Sequence, residues 1–178
     1  MEVISVKHKA DIIKGEYQFA DKVKSEVLSL LKVCSPIPQD NSNVKASIHT
    51  EWDWEPDNIT FRNLKEYIRE EIEKNYQPGR TTGGKRILIR CGSFWANVYE
   101  KGDYAQPHDH KPSDFSFAYF VKSKWYYPPL VFPDSGKRIR PKEGTFVIFP
   151  SYLKHSVPKH RYNDTRITLS GNLDIPNP

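Results

Sequence analysis

The sequence predicts a mainly β protein, an antiparallel sandwich or jelly roll with two N-terminal helices packed on one sheet. Three observations point there. From about residue 86 the chain breaks into short aromatic and β-branched runs separated by Gly, Pro and Asp, with no helical periodicity between them. That is the pattern of an all-β sandwich rather than of alternating βα units. Before residue 86, two stretches carry apolar residues at spacings of three and four, the signature of amphipathic helices. Finally, the chain has 178 residues, 13% of them aromatic, with 14 prolines, a composition of strands and turns rather than of disorder. A chain near that length buries roughly 68–70% of its unfolded surface. The expected organisation is one domain, 1–178, with a helical buttress over 1–85 and a jelly-roll core over 86–175.

The first helix is expected from Phe19 to Val33, with Phe19, Val23, Val27, Leu30 and Leu31 on one face. It should stop near Cys34-Ser35-Pro36, because the residue before a proline avoids the helical region. Residues 36–43 (PIPQDNSN) read as loop, and Val44 to Trp54 as an irregular or strand-like piece. The second helix is expected from Asn58 to Asn75, capped by Asp57, with Phe61, Leu64, Ile68 and Ile72 facing the core. Tyr76 to Lys85 is turn material. Seven strands follow: Arg86–Cys91, Phe94–Tyr99, Phe115–Val121, Leu130–Phe132, Thr145–Phe149, His155–Pro158 and Arg166–Leu173.

Composition narrows the function classes. Two cysteines, Cys34 and Cys91, are too few for a disulfide framework and lack metal-ligand spacing, so both read as ordinary thiols in a reducing compartment. The first residues are charged from position 2 onward, and no apolar run approaches the roughly 20 residues needed to span a bilayer. The expectation is a soluble, cytoplasmic protein with no membrane partner. An excess of 27 Lys+Arg over 22 Asp+Glu gives a net charge of +5, a mild bias toward acidic ligands. The basic residues are scattered, which argues against nucleic acid. The one dense patch, Lys137 to Lys142 (KRIRPK), reads as a solvated loop.

The chemistry concentrates in two segments, Tyr99–His110 (YEKGDYAQPHDH) and Phe149–Arg166 (FPSYLKHSVPKHRYNDTR). Alternate residues of a strand share a face, so His108 and His110 can aim at one point while Asp109 faces away. A lone strand histidine is more often structural. A His-x-His pair followed by His155 from a distant strand shifts that balance, because three imidazoles suit iron, zinc or copper. His8, His49 and His160 have no same-face partner and read as surface residues.

These segments resemble the small 2-oxoglutarate and iron(II)-dependent oxygenases, in particular the compact bacterial and phage members and the prolyl 4-hydroxylases. The first block is Tyr99, Gly102, His108 and His110. The second is Gly144-Thr-Phe-Val-Ile-Phe149-Pro150, then His155, then Arg166. Order and separation both fit over about Phe94 to Asn172. The resemblance implies a double-stranded β-helix, or jelly roll, holding iron(II) through His108, His110 and His155. It implies 2-oxoglutarate as co-substrate, dioxygen as oxidant, ascorbate as a supporting reductant, and a peptide or small-molecule prime substrate hydroxylated at an unactivated C–H, with a peptidyl or free proline as the first expectation. Arg166 would clamp the distal carboxylate of the co-substrate, a role suited to a guanidinium fork, with Tyr99 and Thr168 as further contacts. A salt bridge from Arg166 to Asp164 or another surface acid is the structural alternative, and a core position the alternative for Tyr99. Trp95, Trp125, Tyr126 and Tyr127 are candidates for the mouth of the site, although Trp125-Tyr-Tyr-Pro-Pro also reads as a turn packed by its own aromatics.

One residue departs from the family pattern. Where a carboxylate is expected two residues after the first ligand, this chain has His110. The options are a three-histidine site, recruitment of Asp114, or loss of iron binding; the first is favoured here. Asp109 would need a bulge at Pro107 to turn inward. Two other readings stay in view: a cupin-type metalloenzyme that does not use 2-oxoglutarate, and a non-catalytic jelly-roll binding protein.

Overall fold

Strict two-residue alternation in four strands decides this architecture. In Arg90–Tyr99, residues Phe94, Ala96 and Val98 join the larger hydrophobic core, while Trp95, Asn97 and Tyr99 face a cavity on the opposite side. Arg166–Asp174 repeats the scheme, with Ile167, Leu169 and Leu173 in the core and Arg166, Thr168 and Ser170 in the cavity. A slip of one residue would exchange the two sets, so burial of one face pins the register.

The computed structural model describes residues 10–37, 42–55, 57–76 and 89–175. In chain order the elements are β1 (Ile13–Glu16), α1 (Ala20–Leu30), β2 (Val44–Lys45), β3 (Ile48–His49), α2 (Ile59–Tyr76), β4 (Arg90–Tyr99), β5 (Tyr104–His108), β6 (Phe115–Lys122), β7 (Leu130–Phe132), β8 (Lys137–Ile139), β9 (Thr145–Pro150), β10 (His155–Val157) and β11 (Arg166–Asp174). They form a six-stranded sheet ordered β1-β9-β6-β11-β4-β3 and a five-stranded sheet ordered β2-β5-β10-β7-β8. The strand pairings are antiparallel. This is the mainly β jelly roll expected, with both helices packed on the outer face of the larger sheet.

The helices bury the predicted faces. Val23 and Val27 of α1, and Phe61, Leu64, Ile68 and Ile72 of α2, are fully buried against the sheet residues Phe94, Phe117, Phe146 and Leu169. Phe19 differs from expectation: it occupies the N-cap of α1 and is largely exposed. The cap of α2 is Asn58 rather than Asp57. The Asn58 Oδ1 accepts hydrogen bonds from the backbone N–H of Thr60 at 3.0 Å and of Phe61 at 3.2 Å, satisfying two donors that a helix start leaves free. Asn58→Ala should therefore cost about 1 kcal/mol in chemical denaturation. Asp57→Ala should cost nothing measurable, and equal losses at the two positions would contradict this cap.

The strand expectations hold for β6, β7, β9, β10 and β11 to within a residue or two at either end. Arg86–Cys91 and Phe94–Tyr99 meet in the single strand β4, with residues 86–88 outside the described part. The turn expected at Tyr76 to Lys85 also lies almost wholly outside it. Lys137 to Lys142 is not simply a loop: its first three residues form β8, the edge strand paired with β7. Charged residues on an edge strand discourage pairing with another chain. The strand β1 was not anticipated, and β5 was expected only as the carrier of His108 and His110, without bounds among the seven.

Two motif glycines have conformational reasons. Gly102 turns the chain between β4 and β5 at φ +105, a region that L side chains avoid. Gly144 precedes β9 at φ +78, and a Cβ there would lie 2.8 Å from the Cβ of Ala20. The close approach of α1 to the sheet thus needs a glycine at that turn.

Candidate active site

The three candidate ligands reach one point by different routes. β10 pairs with β5 so that His155 lies directly opposite His108. Between the partners Ala105–Val157 and His108–His155, β5 carries one residue more than β10, a bulge at Gln106-Pro107. A proline cannot donate to a strand ladder, and a bulge is where a strand can accept one. β5 ends at His108, so His110 is not on the strand as expected. Its backbone N–H donates to the carbonyl of Ser151 at 2.9 Å, which holds it beside the end of β9. The result is still a cluster: the ligating atoms of His108, His110 and His155 all lie within 4.8 Å of one another. Two nitrogens sharing an ion at about 2.1 Å each lie no more than about 4.2 Å apart, so a modest ring rotation closes the set.

Hydrogen bonds choose the ligating nitrogen in two of the three rings. His108 Nδ1 lies 2.7 Å from the Gln106 carbonyl, and His155 Nδ1 lies 3.1 Å from the Leu153 carbonyl. Donation from Nδ1 leaves the lone pair on Nε2, the usual outer-shell arrangement of a metal-binding imidazole. Burial, reinforced by the nearby His108, pushes His110 down to about 4, against the opposing pull of Asp109. His155 is pushed down to about 3 by burial and then by His108 and His110. Both rings are therefore neutral at pH 7 and ready to bind a cation without first losing a proton.

Neither carboxylate candidate joins the cluster. Asp114 Oδ2 accepts a hydrogen bond from the Ile175 N–H at 2.7 Å, tying the loop after His110 to the end of β11. Asp109 remains outside despite the bulge, with its Oδ1 accepting from the Lys111 N–H and its Oδ2 3.6 Å from Lys111 Nζ.

Behind the histidines, in the same cavity, lies Arg166. It is 1% exposed, and its Nε and Nη1 have no hydrogen-bond partner. The guanidinium sits over the rings of Tyr99 at 5.2 Å and Phe120 at 5.6 Å. The alternative salt bridge to Asp164 is not formed. Asp164 is held by Lys122 Nζ at 2.6 Å, Tyr127 Oη at 2.9 Å and Lys124 Nζ at 3.2 Å, contacts that lower its pKa well below the usual carboxylate range. Burial works against the charge of Arg166, with only the neighbouring Tyr99 opposing that effect. Tyr99 stands opposite Arg166 in the β4–β11 register and is buried, with its pKa pushed up to about 12 by burial against the counter-effect of Arg166. Its hydroxyl is thus a proton donor at neutral pH. Thr168 lines the same wall.

Buried cations are normally paired, so an unpaired guanidinium in a cavity has the chemistry to receive a carboxylate. The residues present therefore suit both a metal and an acidic ligand bound beside it. Sequence reasoning missed a further polar group, Asn97, which is 3% exposed, lines the cavity between Trp95 and Tyr99, and has an unpartnered Oδ1. The alternation Trp95, Asn97, Tyr99 was the available signal.

Other readings need correction. His49 and His160 are buried, not surface residues. His49 bonds the Thr50 carbonyl through Nδ1 at 2.6 Å and stacks on Trp95, and His160 Nε2 lies 2.6 Å from the Asp164 carbonyl. His8 lies outside the described residues. Of the four aromatics proposed for the mouth, Trp95 alone lines the cavity. Trp125, Tyr126 and Tyr127 cluster with Tyr162, the packed-turn alternative.

A jelly roll with three imidazoles and a free guanidinium in one cavity is an arrangement that could hold a metal ion with an anion beside it. Comparison with known proteins places that arrangement beside a family. Residues 133–172 match the family model described as "Putative 2OG-Fe(II) oxygenase". Solved structures give the same relationship for the fold. A viral collagen prolyl hydroxylase from Paramecium bursaria Chlorella virus-1, in complex with 2-oxoglutarate, is 14% identical, with 91% of this chain and 94% of that chain covered at a TM-score of 0.66. A prolyl-4-hydroxylase from Pseudomonas putida is 12% identical, with 94% of each chain covered at a TM-score of 0.69. A prolyl hydroxylase from Trichoplax adhaerens, in complex with a hypoxia inducible factor oxygen degradation domain peptide fragment, is 13% identical, with 92% of this chain and 83% of that chain covered at 0.64. No curated protein matches the sequence. The resemblance read from the motifs is thus supported by a family model over the second block and by the fold over nearly the whole chain. That family implies iron(II), 2-oxoglutarate and dioxygen. Among the described residues, no helix is long and apolar enough to cross a membrane.

Proposed function

We propose that this chain is a 2-oxoglutarate- and iron(II)-dependent dioxygenase that hydroxylates an unactivated C–H, with a peptidyl proline as prime substrate. The overall conversion takes 2-oxoglutarate, dioxygen and R–H to succinate, carbon dioxide and R–OH. The observation that carries this reading is the unpartnered guanidinium of Arg166, buried in the same cavity as the three-histidine cluster. A cupin-type metalloenzyme with no acidic co-substrate would have no use for that group, and a vestigial site would gain nothing from keeping it unpaired.

In this reading His108, His110 and His155 hold the metal. Iron(II), when bound, supplies the redox chemistry with dioxygen that the protein side chains cannot. Arg166 donates two N–H groups to the distal carboxylate of 2-oxoglutarate, and the hydroxyls of Tyr99 and Thr168 donate to the same end. The amide of Asn97 lies between that end and Trp95. Leu130, Phe149 and Val157, which also line the cavity, keep water from the bound co-substrate. Residues 1–178 act as one domain in a reducing, cytoplasmic setting, consistent with the free thiols of Cys34 and Cys91. The likeness to solved prolyl hydroxylases, one of them with a peptide, supports proline as the substrate residue.

The test is direct. Purified protein with iron(II), ascorbate and oxygen should convert 2-oxoglutarate to succinate slowly without prime substrate, and faster with a proline-containing peptide. Absence of both succinate formation and 2-oxoglutarate binding would refute the oxygenase reading.

A further inference from the structure

An aromatic wall runs outward from the histidine cluster, and its last member has no structural reason to be where it is. Trp95 lies 5.6 Å from the ring of His110 and is 3% exposed. His49, also buried, stacks on Trp95 at 6.3 Å. Trp52 closes on both, edge to face, at 4.5 Å from Trp95 and 5.0 Å from His49, yet it is 51% exposed. Its neighbour Trp54 fills the helix-side core instead.

The position of Trp52 is not adjustable. Its carbonyl accepts the N–H of Phe94 at 2.6 Å, and the Trp54 N–H donates to the Phe94 carbonyl at 2.9 Å, so the main chain is fastened to β4 on both sides of Asp53. Two buried rings then fix the indole. A large aromatic side chain that is rigidly held, half exposed and packed on the cavity-lining Trp95 is suited to receive a ligand. Three other exposed aromatics, Trp125, Tyr126 and Tyr162, pack on one another, with no cavity-lining ring among their partners.

We propose that Trp52 is a specificity-determining residue of the prime-substrate site, on which a proline ring of an extended peptide packs beside the metal cluster. This rests on the oxygenase reading above and names the surface that selects its substrate. The cavity is chemically two-ended, with the cation of Arg166 deep inside and indoles at its outer side, so an acidic co-substrate and an apolar substrate group are sorted to opposite ends. The face of an indole is electron-rich and attracts the polarised C–H bonds next to an amide nitrogen. Proline presents those bonds on a flat ring, has no N–H to leave unsatisfied, and is already extended, which is why proline-rich segments dock on aromatic surfaces. Glu51 and Asp53 beside it are exposed acids, so a lysine-bearing peptide is the competitor that must be separated from proline.

The experiment uses the full chain loaded with nickel(II) and 2-oxoglutarate, which prevents turnover, titrated by calorimetry with a short oligoproline and with a glycine–lysine peptide of equal length. Oligoproline should bind. Trp52→Ala should weaken it about tenfold or more, while Trp52→Phe should stay within about threefold of wild type. Trp125→Ala, at the remote aromatic cluster, should bind as wild type does. Equal binding by Trp52→Ala overturns the proposal, and so does binding of the lysine peptide in place of oligoproline. The 2-oxoglutarate affinity, measured in the same samples, separates the two levels. If 2-oxoglutarate binds and oligoproline does not, the role of Trp52 alone is wrong; if neither binds, the oxygenase reading falls with it.

Discussion

Arg166→Ala should weaken 2-oxoglutarate binding by about 100-fold or more, because truncating one partner of a buried, hydrogen-bonded charge pair costs about 2–5 kcal/mol. Lysine should not rescue it. A point charge on a flexible stem cannot reproduce two parallel N–H donors held over Tyr99 and Phe120. The same residue makes a second, opposite expectation. Without co-substrate the protein carries a buried guanidinium whose Nε and Nη1 are unpaired, a destabilising feature retained for function. Arg166→Met should therefore raise the thermal midpoint of the ligand-free protein by a few degrees. 2-Oxoglutarate at about 100 times its Kd should add about 2.7 kcal/mol to the wild type and no more than about 0.4 kcal/mol to this variant at that concentration. Thermal-shift measurements with and without co-substrate read both effects. A variant that still responds to 2-oxoglutarate like the wild type would show that the carboxylate binds elsewhere.

The second large effect concerns the metal. His155→Ala should lower iron(II) affinity by more than about 100-fold, since losing even an outer-shell partner of a ligand costs about 10–100-fold. His110→Asp should keep the metal, because it places a carboxylate where the wild type has a neutral imidazole and restores one negative charge to the ligand set. Asp114→Asn should leave metal binding unchanged, because that carboxylate serves the Ile175 N–H and lies outside the cluster. Anaerobic titration of these three variants and of His110→Ala, with far-UV circular dichroism to confirm folding, checks these outcomes together. Loss of metal in Asp114→Asn with retention in His110→Ala would reverse the ligand assignment.

Some of this was legible in the residues because local chemistry leaves a local trace. The helical faces of Val23–Val27 and Phe61–Ile72, the aromatic strands β6 and β9, the apolar alternation of β11, and the two motif blocks each carry their signal within a short stretch of chain. β1 escaped, and β5 went without bounds, for the same reason in reverse. Ile13–Glu16 contains a glycine and two charges in four residues, and Tyr104–His108 contains a proline that ordinarily argues against a strand. β1 is a strand because β9 offers it an edge, and β5 because its bulge accommodates Pro107.

By itself the sequence determined the class of fold, the faces that make its core, and the residue types from which a site could be built. It set three histidines and an arginine at spacings that three strands and a loop can bring together. The tertiary structure decided what those residues do, because their roles depend on partners far away in the chain. It left Arg166 unpaired by giving Asp164 to Lys122, Lys124 and Tyr127, and kept Asp114 from the cluster by using it to cap Ile175. It brought His110 in through Ser151 after the strand had ended, buried His49 and His160, and added Asn97 and Trp52. A spacing records which residues share a face, whereas an unsatisfied donor, a half-exposed ring or a lowered pKa depends on everything packed around the group.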